Sequence, residues 1–163
     1  MAVRFRLEAV TIIETRHHID ADVAKVFDVV AHIDNFAKAV PHLVNVEHIN
    51  DVHSGVGAKF RETRLMNRRE ASTELEVTEY VKNERVRMVS DEGGTIWDTV
   101  FTVEPSSNGA GTDLTMVMDC RPYERMAKIV TPLVKPIVAR AVKGDMEAVK
   151  NYCESAEFGE SPE

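Results

Sequence analysis

ERMAKIVTPLVKPIVARAVKGDMEAVKNYCE, residues 124–154, decides the fold. Apolar residues recur along it at helical spacing. Met126, Val130, Leu133, Ile137, Ala141, Ala148 and Tyr152 make one stripe, which Ile129, Val134, Val138, Val142 and Val149 widen. A helix of this extent is about 45 Å long at 1.5 Å per residue, and it requires a surface broad enough to cover its stripe. Pro132 and Pro136 lie inside it. Each removes a backbone donor and crowds the preceding turn, at about 3 kcal/mol in a helix interior. Two outcomes are open. Either the helix kinks there, or a first segment stops near Val130–Thr131 and one proline opens the next. A bend at that point would shape a cavity mouth or simply follow a curved sheet.

The chain before this stretch supplies the partner surface. Residues 8–18 (EAVTIIETRHH) are rich in β-branched side chains and predict a first strand. Asp20 offers a helix N-cap, followed by a helix with Val23, Val26, Phe27 and Val30 on one face, and residues 35–40 form a second short helix before Pro41. From Leu43 the pattern alternates with period two, and turn residues at 54–57, 67–68, 82–84, 93–94 and 105–111 divide it into six further strands. Strands at this close spacing predict an antiparallel meander. A sheet with one apolar face and one long helix to cover it is an α+β two-layer solution. Residues 1–155 read as a single domain and 156–163 (AEFGESPE) as a frayed tail.

Composition excludes several classes. The chain has 163 residues, 44% of them hydrophobic, and a net charge of −7, which argues against nucleic acid as a partner. No run of 18 apolar residues spans a membrane, and the N-terminus lacks the apolar core of a signal peptide, so a cytoplasmic location is expected. Cys120 and Cys153 are far apart and read as reduced, buried thiols. His17, His18, His32, His42, His48 and His53 have neither the spacing nor the companions of a metal site, although His17 or His18 could reach a pocket from the first strand. The glycines fall between strands and not before a helix, so they cradle no phosphate. No metal and no cofactor is expected.

Several strings carry a resemblance. IDADVAKVFDVVAHIDNFAKAVP at 19–41, GVGAKFRETR at 55–64, REASTELEVTEY at 69–80 and the final amphipathic helix are similar to the START-like, or Bet v 1-like, superfamily (SRPBCC). They resemble in particular its polyketide cyclase/dehydrase and lipid-transport branch. The resemblance covers nearly the whole chain and implies the helix-grip fold, a seven-stranded curved antiparallel sheet with two short helices after strand 1, wrapped around a long C-terminal helix. It also implies a cavity between the two, which in relatives holds sterols, lipids, polyketides or plant hormones.

Alternation names the side chains that would face such a cavity. They are Phe60, Glu62, Arg64, Leu75, Val77, Met88, Ser90, Trp97, Thr99, Phe101, Met116 and Met118 from the sheet, with Val130, Leu133, Val134 and Ile137 from the helix. The methionines either make an adaptable pocket or fill a core. Glu62 and Arg64 share a face, so they form either a buried charge-assisted pair or an exposed strand-end pair; a register one residue off would put Arg61 and Thr63 inside instead. Three functions follow. The first is binding or transport of a small hydrophobic ligand such as a lipid, sterol or polyketide-like molecule. The second is a cofactor-independent cyclase or dehydrase in which Glu62 or a histidine moves protons. The third is a non-catalytic interaction module, expected to have a filled core and an apolar outer patch. Oligomeric state is open, a homodimer included, and no stable membrane insertion is expected.

Overall fold

A computed structural model describes residues 12–155. The expected strand start at Glu8–Thr11 and the tail at 156–163 lie outside the described residues. Strand β1 (Ile12–Ile19) leads into helices α1 (Val23–Ala31) and α2 (Ile33–Ala39). Strands β2 (Leu43–His48), β3 (Lys59–Met66), β4 (Arg69–Val81), β5 (Arg85–Glu92), β6 (Thr95–Pro105) and β7 (Thr112–Pro122) follow, and helix α3 (Arg125–Glu154) ends the described chain. All neighbouring strands are antiparallel in one seven-stranded sheet of order β1-β7-β6-β5-β4-β3-β2. Consecutive strands β1 and β2 thus become opposite edges, and α1 with α2 carries the chain between them. Register shifts at Leu43/Asn45 and Val77/Glu79 insert extra residues, which bend the sheet around the helices.

Local chemistry explains the corners. Asn67 and Arg68 both have positive φ, 49° and 64°, and alone connect β3 to β4, the geometry of a tight hairpin whose twist matches its strands. Gly93 and Gly94, at 58° and 75°, do the same for β5 and β6. The N-cap of α1 is Asp22, whose carboxylate accepts from the Lys25 N–H at 2.9 Å. Asp20, the expected cap, instead directly follows β1, where its backbone N–H donates to Glu154 Oε1 at 2.9 Å. The expected inward alternation holds in the sheet, with Val86, Met88 and Ser90 on β5, Phe101 and Val103 on β6, and Leu114, Met116 and Cys120 on β7 all buried.

Helix α3 differs from its sequence reading in two ways. It runs without interruption from Arg125 to Glu154, with Pro132 and Pro136 inside it. Both prolines are exposed, so the carbonyls that lose their donors face water rather than the core. Its buried residues are Ala127, Thr131, Val142, Asp145, Met146, Val149 and Cys153. The stripe through Met126, Val130, Leu133 and Ile137 is exposed. Apolar residues occupy several faces of the N-terminal half, so periodicity did not determine its rotation. That rotation follows from two anchors: the Thr131 hydroxyl meets the Thr95 hydroxyl at 2.8 Å, and the Tyr123 N–H donates to the Gly94 carbonyl at 2.9 Å.

The last corner provides a stability test. Gly109 and Gly111 have φ of 83° and 77°, but a Cβ at Gly109 would meet open space whereas one at Gly111 would lie 2.5 Å from the Ile19 carbonyl oxygen. Gly109→Ala should cost only left-handed strain, about 1 kcal/mol. Gly111→Ala should cost about 3 kcal/mol because backbone must also shift. Equal losses in urea unfolding would refute the close approach of β1 to this loop.

Candidate functional site

On β3, alternation carries Phe60, Glu62 and Arg64 to the concave face, while Arg61 points to the other and pairs with Glu47 and Glu74. Glu62 and Arg64 are mostly buried, with side chains 12% and 24% exposed. Arg64 Nε donates to Glu62 Oε1 at 2.7 Å and its Nη1 donates to Asp145 Oδ2 at 2.6 Å. One guanidinium therefore joins the sheet to α3 and serves two carboxylates.

Around this cluster lies a cavity of two adjoining chambers. The inner one, about 90 Å³, is bounded by Phe60, Leu75, Met88, Phe101, Met116 and Met118 from the sheet, Val30, Ile33 and Phe36 from the short helices, and Val142 and Met146 from α3. The outer one, about 270 Å³, adds Met66, Thr73, Ser90, Glu92, Trp97, Val138 and Ala141. Glu62, Arg64, Leu75, Thr99, Met118, Val142 and Asp145 line both. The walls are apolar apart from a few placed polar groups, the usual composition of a small-molecule site. Ser90 is buried and its hydroxyl has no hydrogen-bond partner among the described residues.

The cluster's electrostatics follow from its count. With all three groups ionised it carries one uncompensated negative charge. Burial opposes the charge on Arg64, but the charges and hydrogen bonds of Glu62 and Asp145 outweigh it and hold the guanidinium protonated. Burial pushes the Asp145 carboxyl above its ordinary 3.8, even though Arg64's charge and hydrogen bond pull it down. A buried carboxyl that takes up a proton more readily than usual is thus held in the cavity wall.

Most of the sheet residues named from sequence line a chamber; Val77 is buried beside it in the core. The helix residues do not. Val130 and Leu133 are exposed, Val134 is half-buried but lines neither chamber, and Ile137 lines an adjoining groove between α3 and the β3–β4 hairpin, which shares Arg64 and Asp145 with the chambers. Val138, Ala141, Val142, Asp145 and Met146, all C-terminal to the prolines, take their place. Asp145 was missed, although a carboxylate spaced from Val142, Val149 and Cys153 in one helical stripe was a legible signal. His17 and His18 reach neither chamber. His17 faces Glu147 at 3.5 Å, and His18 lies between Asp113 and Asp20. The chambers leave the core incompletely filled, whereas the apolar outer face expected of an interaction module is present on α3.

Comparisons with known proteins agree with this geometry. Residues 10–154 match the family model described as polyketide cyclase / dehydrase and lipid transport. No curated protein matches the chain. Among solved structures, the Zhui aromatase/cyclase from Streptomyces sp. R1128 is 15% identical, covers 91% of this chain and 98% of its own, and superposes with a TM-score of 0.72. TTHA0849 from Thermus thermophilus is 13% identical over 86% of this chain and 94% of its own, with a TM-score of 0.68. Ara h 8.0201 is 12% identical over 87% and 96%, with a TM-score of 0.66. At these identities the likeness is one of fold.

The cluster makes two testable statements. Arg64→Met leaves two carboxylates facing each other in a partly buried site and should cost about 2–4 kcal/mol in urea unfolding. Arg64→Met/Asp145→Asn should recover part of that loss. No recovery would show that the carboxylates do not sense each other. Asp145 also sets a pH dependence. Its folded-state pKa lies above the unfolded value, so its contribution is full below about pH 3.8 and is lost as pH rises through the folded value. Relative to the parent, Asp145→Asn should therefore gain stability as pH increases across that window; a flat or falling difference would contradict the raised carboxyl.

Proposed function

The chain belongs to the polyketide cyclase/dehydrase and lipid transport family, and we propose that it is a carrier for a small, neutral, mostly apolar molecule bearing a carbonyl or hydroxyl group. One observation carries this reading: the apolar double chamber is lined by Ser90, whose buried hydroxyl has no hydrogen-bond partner among the described residues. A buried unpaired polar group costs about 1–3 kcal/mol, which a ligand atom bonded to Ser90 Oγ would offset. Burial of the ligand's hydrocarbon supplies the affinity, about 0.8 kcal/mol per methylene taken from water.

The charge count selects for neutrality. Arg64 donates through two of its five N–H groups to carboxylates, leaving others for a ligand acceptor. A ligand carboxylate would be a third anion around one cation. A ketone or hydroxyl accepts the same hydrogen bond without that repulsion. The inner chamber suits about one small ring and the outer chamber the remainder of the molecule.

A second reading is a cofactor-independent enzyme that cyclises or dehydrates a polyketone. The raised pKa of Asp145, beside Arg64 in the cavity wall, favours it. Asp145 would accept or return a proton at a carbon flanked by carbonyls, and the Arg64 N–H groups would hold the developing enolate oxygen. Here Asp145→Asn should abolish turnover of a linear polyketone and leave its binding within a few-fold.

The carrier reading is tested by native mass spectrometry and thermal shift across neutral ketones and alcohols and their carboxylate isosteres. Neutral members should bind and stabilise the protein while the isosteric carboxylates do not. Leu75→Trp, which fills the cavity from β4, should eliminate binding without unfolding the chain. Ser90→Ala should weaken oxygen-bearing ligands by up to about tenfold and leave pure hydrocarbons unaffected. Equal binding of acids and ketones, or unchanged binding in Leu75→Trp, would refute this assignment of the site.

A further inference from the structure

The N-terminal half of α3 presents an apolar face to solvent. Met126, Ile129, Leu133 and Ile137 are 60–71% exposed, with Val130 at 45%. At about 100° per residue these side chains fall within an arc of about 100°, the width of a face normally buried, and they extend about 16 Å along the helix. The sequence around them is one-sided in charge. Residues 125–144 contain Arg125, Lys128, Lys135, Arg140 and Lys143 and no acidic residue, in a chain whose net charge is −7. Arg125, Lys128, Arg140 and Lys143 are exposed and form no ion pair among the described residues; Arg140 falls within the arc and Arg125 and Lys143 about 90° to one side of its centre, while Lys128 lies nearly opposite.

We propose that this face docks on the surface of an anionic lipid bilayer. A helix with an exposed apolar arc and cations beside it lies in the plane of a membrane interface, with its apolar side chains at the acyl boundary and its cations among the phosphates. The charge pattern argues against a second copy as the occupant, because a two-fold pairing through this face would bring its cations together with no anion between them. Glu124 and Tyr123, which hydrogen-bonds Asp91, bound the face at one end, and Asp145 and Glu147 lie beyond it at the other. The opposite edge of the same helix supplies Val138, Ala141 and Val142 to the outer chamber, so docking brings the chamber close to the lipid. The docking itself requires no occupant in the cavity.

The experiment is co-sedimentation of the full chain with vesicles of phosphatidylcholine alone and with phosphatidylserine added, at low and high salt. Binding is expected to the anionic vesicles, to be weak or absent on phosphatidylcholine, and to fall with salt. Arg125→Gln/Lys128→Gln/Arg140→Gln/Lys143→Gln should weaken it by roughly fivefold per cation. Ile129→Ser/Leu133→Ser/Ile137→Ser keeps every charge and should abolish it, with thermal unfolding confirming that both variants fold. Leu75→Trp, which tests the cavity, should bind vesicles like the parent, so failure of either proposal is read separately. No binding to anionic vesicles at low salt, or binding unaffected by either multiple variant, would overturn the proposal. So would a dimer in light scattering that the serine variant converts to a monomer.

Discussion

Arg64 sits where the sheet and the long helix would otherwise be separated by empty space. Helix α3 packs on β1 and β7 and on the two short helices, while on the β3 side the cavity intervenes. Across that gap the guanidinium reaches Asp145 while holding Glu62 on its own strand. The contact is costly to desolvate and would be neutral or worse as a source of stability if hydrophobic packing could replace it. Packing cannot replace it without filling the chamber. The ion cluster therefore bridges the sheet and the helix beside the cavity with polar contacts where apolar ones are missing.

The same arrangement divides α3 into two halves with different tasks. From Val138 onward the helix closes the cavity and then the core, ending in Met146, Val149 and Cys153. From Arg125 to Ile137 only Ala127 and Thr131 are buried, and the helix runs along the sheet's end held by a hydroxyl pair and two backbone bonds to Gly94. This half gains little from burial and still contains the most apolar run of the helix. Prolines are tolerated there because the donors they remove lie on the wet side. Cavity wall and outer face are thus two sides of one element.

The fold was largely legible because strand alternation leaves little freedom. Once Phe60 faces inward, Glu62 and Arg64 must follow, and Met116 and Met118 follow Leu114 by the same rule. The helix was harder. Ile129, Val130, Leu133, Val134, Ile137 and Val138 spread apolar groups over an arc of about 180°, wider than a helix normally buries, so more than one rotation satisfies the period of 3.6 residues. The burial of Asp145 needed more than its place in the helical stripe. A carboxylate is buried only if a partner awaits it, and its partner is 81 positions away on a strand.

By itself, the order of residues determined the elements, the antiparallel pairing of consecutive strands and the alternation along each, though not which face of β3 turns inward, because period-two alternation and turn residues are local properties of the chain. It also determined that a long helix must cover the sheet. Only the tertiary structure decided how that helix is rotated, that its prolines leave it unbroken, and that Arg64, Glu62 and Asp145 meet around a cavity. Those outcomes depend on contacts between residues distant in sequence, where the cost of burying a charge is settled by geometry and not by periodicity.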